Sequence, residues 1–230
     1  AMADYCETEG IWFHIDAAHG GFAVLTEYGK KLLEGIERAD SIAMDAHKWL
    51  FQPFEVGCLM VKDVRKLEAA FSVHPEYLQD TRWGADHPNF GDRGLQLSRS
   101  FRALKIWMSI QTFGMVAFRR AVGRGIELAA RAEAYVRESE VLQIANPASL
   151  GVVCFRVNPR GMDLSDDRLE KVNEAIQARI IESQIAMMSS TRLRGLYSLR
   201  LCILNHTSTW DDVRETLQSI EEFGREALSA

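Results

Sequence analysis

The sequence contains few cysteines and prolines, and it has no long apolar run. Its 230 residues include four cysteines and five prolines. The cysteines are widely spaced and form no CxxC pair, so we expect neither a disulfide framework nor a metal site, and we expect a reducing, cytoplasmic location. No apolar run approaches the roughly 20 residues that a helix needs to cross a bilayer, so no membrane association is predicted.

An excess of basic charge is also missing. The chain has 27 basic and 32 acidic residues, well interspersed, for a net charge of −5. Without a basic stripe, neither nucleic acid nor anionic lipid is an expected partner. We also expect no secretory signal peptide. The first ten residues resemble the end of an amphipathic helix, so we expect the chain to be the latter part of something longer.

The first third of the chain alternates strands with helices. Apolar runs predict strands at 11–15, 41–44 and 57–61, and helical spacing predicts helices at 27–39 and 63–71. Such alternation is typical of an α/β fold with a parallel or mixed sheet.

Residues 72–96 interrupt this pattern with a segment rich in Pro, Gly, Asn and Asp. A loop of about 25 residues is unusual in a compact domain unless it is functional or disordered. Helices are predicted next at 98–113 and 115–139, with Gly114 between them.

The last part of the chain is predicted to be a small α+β unit. Its expected strands are 152–157 and 198–203, and its expected helices are 169–183 and 209–228. A cap that begins at Thr209 is expected to start the last helix. The predicted domains are therefore 1–104 and 105–230.

Two charged residues lie at the ends of neighbouring predicted strands. Asp16 ends the first strand, and Lys48 follows the second after a short turn. A right-handed crossover would place both at the edge of the sheet where α/β folds bind ligands. A lysine and an aspartate that converge there suit pyridoxal phosphate: the amine forms a Schiff base and the carboxylate keeps the ring nitrogen protonated. From spacing alone, a buried Asp–Lys ion pair or two unrelated loop residues is the more common explanation, because buried charges usually pair.

The residue types of the motifs and their order distinguish these interpretations. His14-Ile15-Asp16-Ala17-Ala18-His19-Gly20-Gly21, followed by His47-Lys48-Trp49-Leu50, closely resembles the group II pyridoxal-phosphate decarboxylases. This family includes the aromatic-L-amino-acid, tyrosine, histidine and glutamate decarboxylases. The resemblance continues through Phe101-Arg102-Ala103-Leu104-Lys105 and Leu199-Arg200-Leu201-Cys202 and covers essentially the whole chain.

The resemblance implies a role for each matching residue. Lys48 would be the Schiff-base lysine, Asp16 the partner of the pyridine nitrogen, and Ala18 a contact of the ring. His47 would lie beside the phosphate or the Schiff base. His19 stands where many relatives have tyrosine, so it is either functional or a structural histidine, and Arg200 either holds a carboxylate or is structural.

The resemblance also gives a meaning to the long loop. Pro75-Glu76-Tyr77 resembles a mobile catalytic loop whose tyrosine protonates the carbanion after CO₂ departs. Tyr77 would favour decarboxylation over aldehyde synthesis, and the alternative is an exposed loop tyrosine. Ser98 corresponds to a position that the family contributes from the neighbouring subunit, and it favours phenolic substrates. Its alternative role is to cap the following helix.

The implied fold is fold-type I of the pyridoxal-phosphate transferases: the second half of the large sheet domain plus a small C-terminal α+β domain. The implied reaction converts an L-amino acid, most simply an aromatic one, to an amine and CO₂ in a homodimer with its site at the subunit interface. Relatives are about twice this length, and their first half carries ring-stacking and phosphate-binding elements. We therefore expect this chain alone to bind the cofactor weakly or not at all. Other expected possibilities are a relative with another substrate or an aldehyde product, and a non-catalytic half-fold that pairs with a partner chain.

Overall fold

The chain forms two compact units in the computed structural model, which describes residues 1–72 and 88–229. One unit comprises residues 1–22 and 30–114, and the other comprises residues 23–29 and 115–230. These units reflect contacts within this chain, whereas the boundary at 104/105 was predicted for the domains of a longer protein. That boundary stays a prediction.

The helices and strands follow one another in mixed α/β order. They are α1 (Met2–Glu9), β1 (His14–Asp16), α2 (Glu27–Leu32), β2 (Ser41–Asp45), α3 (Ala46–Trp49), β3 (Gly57–Val61), α4 (Val64–Phe71), α5 (Ala103–Glu138), β4 (Leu142–Ser149), β5 (Val152–Val157), α6 (Asp166–Glu182), β6 (Ser189–Leu193), β7 (Leu196–Cys202) and α7 (Trp210–Ser229). None of the helices in the described ranges is long and apolar enough to cross a membrane.

The first unit is built on a mixed sheet. Its order is β1-β2-β3, with β1 parallel to β2 and β2 antiparallel to β3. The prediction of a parallel or mixed sheet is confirmed. β1 is shorter than predicted and ends on Asp16 itself, which places that carboxylate on the last residue of the strand.

The predicted helix at 27–39 is wrong in its second half. α2 ends at Leu32, and the chain resumes as a short 3₁₀ helix at Ile36–Arg38. Gly35 adopts a φ of 91°, a left-handed conformation that glycine reaches without the steric cost of a β-carbon. The apolar spacing continued across this turn, so periodicity alone did not reveal the break.

α5 also differs from the prediction at its start. It begins at Ala103 and not at Ser98, and it is interrupted at Gly114, where φ is 74° and ψ is 151°. The interruption at Gly114 was predicted. Because the helix begins five residues after Ser98, the hypothesis that Ser98 caps it is wrong.

The second unit contains an antiparallel sheet that the sequence only half predicted. Its order in the described residues is β4-β5-β7-β6. β5 alternates buried and half-buried residues and was predicted, as was β7. β4 and β6 were missed because β4 contains Asn146 and Pro147 with an irregular register, and because β6 is mostly polar.

One face of this sheet carries the core of the second unit. α6 packs against β5 and β7, and α7 packs against α6 and β5. The core includes the fully buried side chains Phe155, Ile180, Leu199, Leu217 and Ile220. The predicted cap of α7 is confirmed: the N–H and hydroxyl of Thr209 donate to Asp212, whose own N–H donates to the Thr209 hydroxyl.

Candidate active site

The carboxyl ends of β1 and β2 lie side by side. Asp16 is the register partner of Ala43 in the parallel pair. Beyond the pair, the Ala17 N–H donates to the Ala43 carbonyl at 2.9 Å, and the Asp45 N–H donates to the Ala18 carbonyl at 3.2 Å. The segments that carry Asp16 and Lys48 are thus joined by backbone hydrogen bonds at one edge of the sheet.

Lys48 projects from α3, the single helical turn that follows β2. Its side chain is 39% exposed, and its Nζ lies 2.8 Å from Oδ2 of Asp45. Sequence reasoning missed Asp45. Its position as the last residue of a strand and three residues before Lys48 was the signal that could have identified it, since one helical turn brings such residues together.

His47 is held by the backbone of Val56. Its Nδ1 lies 2.9 Å from the carbonyl oxygen and 3.2 Å from the amide nitrogen of Val56. The backbone N–H of His47 donates to the same carbonyl. Its Nε2 lies 3.7 Å from Oδ2 of Asp45. The imidazole and the Lys48 amine therefore approach one carboxylate.

Trp49 anchors the helix that carries Lys48. Its side chain is fully buried. The ring of His19 lies against it at 5.6 Å between centroids. This contact supports the structural interpretation of His19.

Asp16 presents its carboxylate to solvent. Oδ1 accepts a hydrogen bond from the Ala18 N–H at 3.0 Å, which fixes the direction of the side chain. Within residues 1–72 and 88–229, Oδ2 has no hydrogen-bond partner, so it remains able to accept from a protonated ring nitrogen.

The residues after Asp16 are small and closely packed. Ala17, Gly20 and Gly21 are buried, and Ala18 is half-buried. A β-carbon at Gly21 would stand 2.6 Å from Cγ of Met44 on β2. Glycine at this position lets the loop pack directly against the strand that leads to Lys48.

The loop from α3 to β3 is fastened to the start of α5. The Lys105 Nζ donates to the carbonyls of Pro53 and Glu55 at 3.1 Å each. The buried Gln52 exchanges hydrogen bonds with the Ser109 hydroxyl. These contacts hold the loop whose last residue, Val56, binds His47.

Charges around this loop are paired. The hydrogen bond from Arg102, together with its charge, lowers the pKa of Glu55 below its usual value.

Burial, and secondarily the charge of Asp45, raises the pKa of the Cys58 thiol. Cys58 is therefore a neutral thiol near neutral pH and a poor nucleophile.

Three other residues were considered for the site from the sequence. Ser98 is exposed in the segment that precedes α5. Tyr77 lies outside the described residues. Arg200 is on β7 in the second unit, where its Nε donates to the Ser189 hydroxyl at 3.0 Å, and this contact supports the structural interpretation.

The chemistry of this edge fits pyridoxal phosphate. The cofactor offers an aldehyde, which needs an accessible primary amine, and a pyridine nitrogen, which needs a carboxylate. Lys48 supplies a partly exposed amine, Asp16 supplies an oriented carboxylate with one oxygen available, and small residues follow Asp16. A binding site for the phosphate group is not evident among these residues.

Comparison with known proteins identifies the family. The pyridoxal-dependent decarboxylase conserved domain matches residues 1–158. An aromatic-L-amino-acid decarboxylase of Bacillus atrophaeus is 38% identical over 98% of this chain and 47% of its own length. A phenylacetaldehyde synthase of Petunia hybrida is 31% identical over 88% of this chain and 41% of its own length.

Solved structures show the same fold. A tryptophan decarboxylase of Catharanthus roseus in complex with L-tryptophan has a TM-score of 0.85 and 28% identity, over 98% of this chain and 47% of its own. The Oryza sativa TDC, solved with PLP and tryptamine, has a TM-score of 0.88 and 26% identity, over 97% of this chain and 46% of its own. The predicted fold class is confirmed, and the cofactor predicted for the family is the one in the Oryza structure.

The chain spans about half the length of the relatives that it matches. Within that span, the domain match covers both the Asp16 and the Lys48 segments. By sequence and by fold, this chain belongs to the family of pyridoxal-dependent decarboxylases.

Proposed function

We propose that this chain serves, as part of a longer or assembled protein, in the decarboxylation of an aromatic L-amino acid to its amine and CO₂. The observation that carries the proposal is the junction of the Asp16 and Lys48 segments at the carboxyl ends of β1 and β2. The aromatic substrate is supported by the relatives, which include aromatic-L-amino-acid and tyrosine decarboxylases.

In this proposal, four residues hold the cofactor. Lys48 would bind its aldehyde carbon through the amine, Asp16 would accept a hydrogen bond from the ring nitrogen, and Ala18 would contact the ring. His47 would lie beside the phosphate or the amine. When bound, pyridoxal phosphate withdraws the electron pair that remains on the α-carbon when its bond to the carboxylate carbon breaks and CO₂ departs.

Two further residues complete the proposed site. Tyr77 would donate its phenolic proton to the α-carbon, where that electron pair forms the new C–H bond, and solvent would then restore the proton. Ser98 would approach the site from a second subunit of a homodimer and favour a phenolic substrate. The four dispersed cysteines support a cytoplasmic location.

The experiment is a complementation assay. This chain is produced together with the part of the Bacillus atrophaeus decarboxylase that it does not match, and is supplied with pyridoxal phosphate. We expect amine and CO₂ from L-tyrosine, L-dopa or L-tryptophan, together with a reducible bond between the cofactor and Lys48. Lys48→Ala should abolish both signals, whereas Lys31→Ala, an exposed lysine on α2, should preserve them.

Release of amine by the Lys48→Ala assembly would contradict the proposal. So would an active wild-type assembly in which the reduced cofactor is attached to another lysine. The chain without the added half is expected to give no saturable absorbance band on titration with pyridoxal phosphate, since no site for the phosphate group is recognisable in residues 1–72 and 88–229.

Formation of an aldehyde is a second candidate function, favoured by the 31% identity to the Petunia hybrida phenylacetaldehyde synthase. Aldehyde formation requires O₂ as the oxidant and releases CO₂, NH₃ and H₂O₂. The assembled protein is therefore assayed in air-saturated buffer for phenolic amine, for the corresponding aldehyde and for H₂O₂. We expect amine from the wild type, because Tyr77 can protonate the α-carbon. Tyr77→Phe should shift the product towards aldehyde. Aldehyde as the main wild-type product would favour the second candidate.

A non-catalytic half-fold is a third possibility, supported by apolar residues at the surface of the first unit. Ile11, Trp12, Leu59 and Met60 are each about half exposed in or beside the two outer strands of the sheet. Exposed apolar surface of this kind is typical of a region that another polypeptide covers. Co-purification with a chain that restores no activity would favour this function.

A further inference from the structure

We propose that Asp45 is a positioning residue for Lys48: its carboxylate holds the lysine amine at the edge of the sheet before the cofactor binds. The inference rests on the proposed function of Lys48 and adds a residue that the motif comparison did not assign. It depends on three features of the structure. The Asp45 side chain makes no capping hydrogen bond to α3, its Oδ2 pairs with the Lys48 amine, and the same Oδ2 also lies near His47.

The first feature is the cap. Asp45 is the N-cap residue of α3, and aspartate at this position normally accepts a hydrogen bond from the second or third backbone N–H of the helix. Here its side chain makes no such bond. The neighbouring helix α4 provides a contrast, since its N-cap Asp63 accepts from the Arg65 N–H. The Asp45 carboxylate therefore serves a different partner.

That partner is Lys48. The Asp45 Oδ2 lies 2.8 Å from the Lys48 Nζ, at a distance typical of a charge-assisted hydrogen bond. The Asp45 side chain is 26% exposed, so it is better shielded from water than a typical surface carboxylate.

The backbone of Asp45 is fixed from both sides. Its N–H donates to Ala18 in the loop after Asp16, and it pairs in register with Gly57 at the start of β3. A β-carbon on Gly57 would stand 3.3 Å from the Asp45 Oδ1, so glycine leaves room for the carboxylate. The carboxylate thus has a defined position relative to the segments on either side of it.

A second partner is within reach of the same oxygen. The His47 Nε2 lies 3.7 Å from the Asp45 Oδ2. If the Lys48 amine moved away to bond to an aldehyde, the carboxylate would keep the His47 Nε2 at 3.7 Å. Asp45 would therefore retain a polar neighbour after it releases the lysine.

The test measures the reactivity of individual lysines. The chain is treated with a limiting amount of acetic anhydride, and acetylation at each lysine is quantified by peptide mass spectrometry. An ammonium bound to a carboxylate is a poorer nucleophile than an unbound amine, so Asp45→Asn should raise acetylation of Lys48 about threefold. Asp45→Glu retains a carboxylate and should remain close to the wild type.

Lys105 is the internal reference, because its Nζ is bound by two backbone carbonyls and not by Asp45. A rise at Lys48 alone in Asp45→Asn supports the inference. An unchanged ratio of Lys48 to Lys105 acetylation overturns it, and so does a parallel rise at both lysines, which would report general loosening of the fold.

The outcome does not depend on the proposed function being correct. If borohydride reduction of the assembled protein traps no cofactor on Lys48, the proposed function fails, yet the acetylation ratio still decides whether Asp45 holds the amine. If the cofactor is trapped, Asp45→Asn should also change the rate at which trapping reaches completion, whereas Asp63→Asn at the cap of α4 should not.

Discussion

Gly21 and Met44 are so close that no side chain fits between them. A β-carbon at position 21 would lie 2.6 Å from the Met44 Cγ and 2.7 Å from its Sδ. Real β-carbons do not approach other atoms to this extent, so the loop that follows Asp16 depends on glycine at this position. The contact links the Asp16 loop to the strand that leads to Lys48.

We therefore expect Gly21→Ala to destabilise the first unit by about 2 kcal/mol, the usual cost of overpacking. Met44 has a flexible side chain, so part of the cost should be relieved when Met44 is shortened. The Gly21→Ala/Met44→Ala double variant should be less destabilised than the sum of the single variants. Urea unfolding followed by circular dichroism measures all four proteins.

Gly94→Ala is the matched control. A β-carbon there meets no atom within 4 Å, and a φ of 178° is extended backbone that alanine adopts freely. Additive effects of the position 21 and position 44 substitutions would show that the close contact does not constrain the loop.

Lys105 should control the mobility of the loop between α3 and β3. Lys105→Met removes the two hydrogen bonds to the carbonyls of Pro53 and Glu55. We expect amide hydrogen exchange in residues 50–56 to become about tenfold faster, which corresponds to the loss of roughly 1.4 kcal/mol of local stability. Because Val56 holds His47, the peptide that contains His47 should also exchange faster.

The control is Lys31→Met, which makes the same change at an exposed lysine on α2. It should leave exchange in residues 50–56 as in the wild type. Exchange in that loop that is unaffected by Lys105→Met would mean that the Gln52–Ser109 and Glu55–Arg102 contacts are sufficient to fasten it.

The cap of α7 should give a pH-dependent contribution to stability. Hydrogen bonds from the Thr209 N–H and then from its hydroxyl lower the pKa of Asp212 below the usual 3.8. A carboxyl group whose pKa is lowered by folding stabilises the fold above its unfolded-state pKa, and this contribution disappears as pH falls through the folded-state value. Asp212→Ala should therefore destabilise the protein at pH 7 and make a smaller difference near pH 3.

Urea midpoints at pH 7, 5 and 3 test this expectation. The Thr209→Val background removes the hydroxyl that Asp212 accepts from, so Asp212→Ala should cost less there at pH 7. An equal cost of Asp212→Ala at pH 3 and pH 7 would contradict a role for its charge.

The sequence predicted those parts of the fold that depend on local patterns. The alternation of apolar residues in β5 and the cap at Thr209 are local signals, and both were identified correctly. The break after Leu32 occurs near Gly35 within continuous apolar spacing, so periodicity did not reveal it. The polar strand β6 is formed through its pairing with β7, which its own residues do not signal. The start of α5 at Ala103 was also not identified.

The residues of the candidate site were likewise only partly predictable from the sequence. Asp16 and Lys48 were predicted from strand ends and motif order, and the structure brings their segments together. Asp45 was missed because its importance lies in where its carboxylate points, and an N-cap aspartate normally points towards its own helix. The roles of Val56 and Lys105 were also invisible, since both act on the site through backbone groups distant in sequence.

The side chain of Asn173 on α6 forms hydrogen bonds with the backbone at the end of β5, and we expect its removal to lower the stability of the protein. Its Oδ1 accepts from the Val157 N–H at 2.8 Å, and its Nδ2 donates to the Val157 and Leu169 carbonyls, all in a fully buried position. Asn173→Ala deprives the buried N–H and carbonyl of Val157 of these hydrogen bonds, so we expect a loss of about 3 kcal/mol in the free energy of unfolding. Glu174→Ala changes the adjacent exposed residue of the same helix and should alter stability by less than about 0.5 kcal/mol. Urea denaturation of the two variants separates the buried hydrogen bonds from any general effect on α6, and equal losses would show that Asn173 matters only as a helical residue.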